Sequence, residues 1–264
     1  MAKWAAFPYD NADYIYDATR LRKQWSRLHA GDAETWPADD RVAAAWALFH
    51  GGDFRKAVEA GLKAGGAGVT AANKAQCIYA HYLEKNAERQ LALYLEAAAR
   101  AEAQQHAEPE NPNAWYWQGY ALGRYGQGIS VVKALAQGLG GKVKAALERT
   151  IELAPRHADA HIALGSFHAE VIDHVGRLIG RTQGADAATG LKMYRRALKL
   201  DPASVIGRLE LASGLLKIDG EKGRKEAGKL LAQAAAATPR DAMERLDVEA
   251  ALAEMAAMAA LEPR

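Results

Sequence analysis

The chain has 264 residues, half of them hydrophobic and 8% aromatic, with 34 basic against 32 acidic side chains. A balance this close lacks the basic excess by which nucleic-acid binders neutralise phosphates, so no nucleic-acid partner is expected. The single cysteine, Cys77, excludes an internal disulfide, and no apolar run approaches the roughly 20 residues of a membrane span.

Alanine and other helix formers dominate and long β-branched runs are missing, so helix is expected throughout and strand almost nowhere. Residues 1–37 hold Trp4, Phe7, Tyr9, Tyr14, Tyr16, Trp25 and Trp36, a large share of the aromatics. A helix over 13–29 places Tyr14, Leu21, Trp25 and Leu28 on one face. This segment has early Asp and Pro and no apolar core of a secretory signal, so a cytoplasmic location is expected. Residues 1–37 therefore read as an aromatic-rich cap on the open end of a stack, and 38–264 as a helical repeat domain.

The first helix pair spans 39–65. Asp39 or Asp40 caps its first helix, Gly51-Gly52 breaks it, and Phe54, Ala57, Val58 and Leu62 resume helical spacing. GVT at 68–70 predicts a turn, followed by helices near 71–85 and 87–106. EPENPN at 108–113 predicts a loop. Two long units follow, 113–155 and 157–202. Each has a long first helix (113–136 and 157–180), a glycine-rich break (GLGGK and GRTQGADAATG), and a second helix closed by proline. Residues 203–239 repeat the plan with a turn at 218–223, and Asp241 caps a final helix over 241–260. Pro112, Pro155, Pro202 and Pro239 thus recur about every 40 residues, the period of an α-solenoid of helix pairs.

Within the units, Trp115, Gly119, Leu122, Leu153 and Pro155 take places that resemble the tetratricopeptide repeat. So do His161, Gly165, His168, Tyr194, Ala197, Leu200 and Pro202, and earlier Ala45, Leu48, Gly52, Phe54 and Ala57. The two central units exceed a plain repeat by roughly a dozen residues, which a first helix longer by three turns absorbs. Such elongated repeats, with the words AWYWQGYALGRYG, LERTIELAP, HIALGSFHAEV and YRRALKLDP, resemble the group containing the regulator of microtubule dynamics proteins and the bacterial TatT-like proteins linked to TRAP transporters. The resemblance implies an all-α, right-handed α–α superhelix of four or five helix pairs.

Candidate chemistry is sparse. His157, His161 and His168 share one helical face, as zinc ligands must, but two of them sit at packing positions of the repeat and no fourth ligand accompanies them, so no metal is expected. GLGGKVK lacks the spacing, the Ser or Thr, and the preceding strand of a phosphate loop. Lys142, Lys144, Arg177 and Arg181 form an anion-binding cluster only if the two insertions stack. No Ser-His-Asp order, GxSxG or HExxH motif is present, so neither catalytic residues nor a cofactor is expected. Cys77 lies in an apolar run and reads as a small core residue.

The better binding candidates face the concave side of the expected superhelix: Asn113, Tyr116 and Tyr120, then Asp159, Ile162 and Ser166, with Trp46 and Phe49 in the first pair. Apolar bodies with polar tips suit a peptide or a small amphipathic ligand. The expected function is a non-enzymatic scaffold that binds a protein or peptide partner in its groove. The alternative is a small-molecule-binding accessory protein, as the TatT resemblance implies. An enclosed apolar cavity between the helices of 113–136 and 157–180 favours the alternative, and an open groove favours the scaffold.

Overall fold

The computed structural model describes residues 4–260; the outermost residues of both expected segments lie outside them. Thirteen α-helices and two single-turn 3-10 helices make up the described residues, with no strand. After α1 (Ala18–Leu28), the helices pair as α2 (Asp40–His50) with α3 (Phe54–Ala64) and α4 (Gly68–Tyr82) with α5 (Ala87–Ala107). Then α6 (Pro112–Ile129) and the short α7 (Val131–Ala136) join α8 (Leu139–Leu153), α9 (Ala158–Thr182) packs on α10 (Ala187–Leu200), and α11 (Val205–Asp219) on α12 (Arg224–Ala235). A last helix, α13 (Ala242–Ala260), follows. None is long and apolar enough to cross a membrane.

Local chemistry explains the boundaries. Asp17, Asp39, Asn86, Asn111, Asp186 and Ser204 each accept a hydrogen bond from a backbone N–H of the helix they precede, satisfying donors that would otherwise lack a partner. Asp241 does the same for Glu244 N at 2.8 Å. The turn expected at 68–70 falls two residues earlier. Gly65 and Gly66 take positive φ, while Gly68 opens α4 so close to α3 that a Cβ there would lie 2.5 Å from the carbonyl oxygen of Gly61. Both long first helices are interrupted. Ser130 (φ 99°) separates α6 from α7, and Gly176 (φ 76°) bends α9. In GLGGK only Gly138 breaks the helix; Gly140 and Gly141 already belong to the first turn of α8.

The inner helices α2, α4, α6, α9, α11 and α13 touch in succession, and α13 returns to touch α2. The repeat stack therefore closes into a ring. The N-terminal segment seals the join. Tyr16 donates to the carbonyl oxygen of Arg240 at 2.7 Å, and Arg240 donates to that of Arg27 at 2.9 Å. Trp4 stacks on Tyr79 of α4 with ring centroids 3.9 Å apart. Trp25 meets Trp36 and Trp46 edge to face.

Helix spacing in the second half is set by Tyr194, almost fully buried between two glycines. A Cβ at Gly165 would lie 2.9 Å from its ring, and one at Gly214 only 2.5 Å. Gly214→Ala should therefore overpack this contact and destabilise by about 1–3 kcal/mol despite alanine's better helix propensity. Gly123→Ala is the control. Its Cβ would meet only a methyl of Val143 at 3.8 Å, so its melting temperature should rise where that of Gly214→Ala falls.

Candidate functional site

A cavity of about 140 Å³ lies inside the ring, walled by α4, α6, α7, α8, α9, α11 and α13. Its volume is close to the ~150 Å³ of a dry apolar cavity that admits benzene. Ile78, Leu122, Val131, Leu135, Val143 and Phe167 supply an apolar wall. Tyr82, Tyr116, Trp117 and Tyr120 add aromatic surface.

Of the residues expected on the concave side, Tyr116, Tyr120, Asp159, Ile162 and Ser166 line this one cavity. Three do not. Trp46 and Phe49 are 1% and 0% exposed and belong to the core. Trp46 is covered by Trp25 and His29 of the N-terminal segment, and Phe49 lies against Phe54 of α3 and Lys74 of α4. Asn113 is also buried. It donates to the carbonyl oxygen of Asp32 at 3.1 Å and to the Glu34 carboxyl at 2.7 Å, tying α6 to the N-terminal segment.

The polar groups of the cavity are mostly matched. Arg124 pairs with Glu210 at 2.9 Å, and its guanidinium lies 5.3 Å from the Tyr120 ring centroid. Ser166 donates to the other Glu210 oxygen at 2.8 Å. Lys217 and Gln127 both donate to Glu170, at 2.5 and 3.0 Å. Tyr82 donates to Asp247. Burial pushes that carboxyl well above the usual range.

Behind Lys74 runs a buried chain of ionisable groups. Lys74 donates to Asp32 at 2.6 Å, and His29 Nδ1 donates to the same carboxylate at 2.9 Å. His29 Nε2 lies 3.2 Å from His50 Nε2, and His50 Nδ1 donates to Asp241 at 2.6 Å. Burial raises the Asp32 and Asp241 carboxyls, but their histidine partners and Lys74 outweigh it and hold both below the usual range. With both carboxylates ionised, each Nδ1 carries the proton it donates. Burial lowers His29 to about 4. Lys74 is the fixed positive charge of the chain, set against Asp32 and Asp241.

The other candidates have separate, structural roles. His157 Nδ1 caps α9 by accepting from Ala160 N, and its Nε2 donates to Asn113 at 3.0 Å. His161 donates to the carbonyl oxygen of Pro155, and His168 accepts from Asp186 N. Lys144 pairs with Glu148, while Arg177 reaches the carbonyl oxygen of Ile218 and the side chain of Asp219. Glu170, Asp173 and His174 place possible ligand atoms within 4.8 Å of one another, but Glu170 is already engaged and the other two are exposed surface groups.

Lys74, Asp32, His29, His50 and Asp241 went unread as a set. The available signal was Lys74 itself, a charge inside the otherwise buried face of α4 formed by Thr70, Cys77 and Ile78.

Comparison with known proteins agrees with this fold. Residues 69–259 match the family described as regulator of microtubule dynamics protein 1-3. No curated protein matches the sequence. Among solved structures, a thermophilic TPR protein from Thermus thermophilus superposes with a TM-score of 0.57 at 18% identity. The match covers 81% of this chain and 98% of that one, and at this identity it establishes the fold alone: a tetratricopeptide-like superhelix.

Proposed function

The chain belongs to the regulator of microtubule dynamics protein 1-3 family, and we propose that it is a non-enzymatic binding scaffold whose ring of inner helices holds a small amphipathic ligand. The observation that carries this reading is the closed ring around a mostly apolar cavity, placed between the two elongated units. Preorganised walls bind without the cost of ordering them. Covalent chemistry has little support. Burial pushes the Cys77 thiol up to about 12, out of the range of a nucleophile. The buried carboxylates and imidazoles are engaged with one another. A cytoplasmic setting, part of the same proposal, suits that single buried thiol.

A second reading rests on the fold, since tetratricopeptide-like repeats suit protein partners: an apolar side chain of a partner segment enters the same cavity. Native mass spectrometry of the purified protein, with and without Gly123→Leu, separates the two. Gly123 lines the cavity, and its Cβ direction is open apart from Val143, so leucine should fill the space without disturbing the helix. A small added mass on the native chain that disappears in the variant supports the ligand reading. A bare mass, together with a partner peptide that binds the native chain and fails to bind Gly123→Leu, supports the second.

A further inference from the structure

We infer that the polar end of the ligand is a cation, an ammonium or amidinium carried on an apolar body and paired with the carboxyl of Asp159. This rests on the cavity being a ligand site. It goes further by asking which of the cavity's polar groups still lacks a counterpart.

Lys74 is committed to Asp32, Arg124 to Glu210, Lys217 to Glu170 and Tyr82 to Asp247. Two lining groups are exceptions: the buried indole N–H of Trp117, which has no acceptor, and the carboxyl of Asp159, the one of the two that can carry charge. The Asp159 backbone N–H donates to the carbonyl oxygen of Gly31 at 3.0 Å, but no described residue donates to its carboxyl or forms an ion pair with it. On one side the carboxyl lies against the chain at Gly31, where a Cβ would come within 2.4 Å of Oδ1. On its other side it lines the cavity.

Charge counting gives the sign. Lys74 is the fixed positive charge of the buried chain, and Asp32 and Asp241, both held ionised, already stand against it. No positive charge is left over for an ionised Asp159, which is therefore negative charge in excess. Burial raises its pKa to about 7 against the pull of Lys74, which leaves it poorly stabilised as an anion. A cation is the partner that recovers the most from such a group. The neighbouring walls agree, because Tyr116, Trp117 and Tyr120 line the same space and aromatic faces attract ammonium groups. A carboxylate ligand would meet an uncompensated like charge.

The test compares benzylamine with benzyl alcohol, nearly equal in shape, by calorimetric titration on the full chain, on Asp159→Asn and on Gly123→Leu. At about pH 7.5 the amine should bind about tenfold or more tighter than the alcohol, the size of a charge-assisted hydrogen bond. Asp159→Asn should abolish that preference and keep the alcohol, and Gly123→Leu should lose both. Lowering the pH to about 5.5 protonates Asp159 and should erase most of the preference. The groups facing Asp159 in this titration are Lys74 of α4, Asp32 and Gly31 of the N-terminal segment, Tyr116 of α6, Asp247 of α13, and Asp201 and Arg240 beyond them. Equal affinities on the native chain, or a preference that survives in Asp159→Asn, overturn the cation assignment while leaving the cavity a binding site. Failure of both probes to bind overturns the cavity reading and this inference with it.

Discussion

Replacing Lys74 with methionine should cost the fold about 3–5 kcal/mol, the scale for removing one partner of a buried ion pair. For a chain of this size that lowers the melting temperature by roughly 10 °C. Methionine keeps an apolar stem of similar length and removes the ammonium, which lies 5.8 Å from the Trp46 ring centroid and 5.2 Å from that of Phe49, so the loss measures charge rather than packing. What it strands is Asp32, 1% exposed and left with only His29 and the Glu34 backbone N–H as donors. Adding Asp32→Asn to Lys74→Met should recover part of the loss, because the amide oxygen still accepts from His29 and no charge is left unpaired. A coupling energy above about 1 kcal/mol in the four-member cycle is the expected sign. A single-variant loss below that value would mean that water reaches Asp32.

The second large effect is a fall in stability on the alkaline side, on the order of 2 kcal/mol between about pH 6.5 and 8. Burial, reinforced by the charge of Asp32, raises Glu34 to about 8. The folded chain therefore keeps a proton that the unfolded chain gives up near pH 4.3, its ordinary carboxyl value. This stabilisation is complete below that pH and is lost as pH rises to about 8. Asp159, raised to about 7 by burial, acts in the same sense over a shorter range. His29 and His157, which burial lowers to about 4, act oppositely. Between about pH 4 and 6.5 the unfolded chain binds their protons and the folded chain does not, so stability climbs with pH there. The two trends nearly cancel up to about pH 6.5, and above it only the acids remain. Glu34→Gln keeps the hydrogen bond from Asn113 and should remove the larger part of the alkaline slope, as read from urea midpoints at fixed pH.

The repeat architecture was legible because its signals are local. Capping residues, glycine breaks and prolines lie within a turn of the boundaries they set, so the helix pairs from Asp39 to Ala235 could be placed from spacing alone. The misplaced details have local causes too. Ser130 takes a positive φ that serine rarely adopts, and the apolar pattern runs through it without a mark. The ring closure was not legible. It depends on contacts such as Tyr16 with Arg240 and His50 with Asp241, which join opposite ends of the sequence and leave no periodic trace. The same gap explains the candidate site. Tyr116, Tyr120, Asp159, Ile162 and Ser166 followed from the helix faces, whereas Trp46 and Asn113 had the right faces but were covered by a segment whose path only tertiary structure reveals, and Phe49 is buried against α3 and α4.

An ordinary helical array can form from any point and grow by neighbours, each repeat complete once the next is made. Closing α13 onto α2 removes that freedom. His50 waits for Asp241, 191 residues later, and Tyr82 for Asp247. At the ~5–20 residues per second of protein synthesis, this delay is about 10 s or longer. Through that interval the inner faces of α2 and α4, with half of the buried polar chain, stand open at the ribosome with no sixth wall. The emerging chain therefore keeps these faces exposed until α13 arrives.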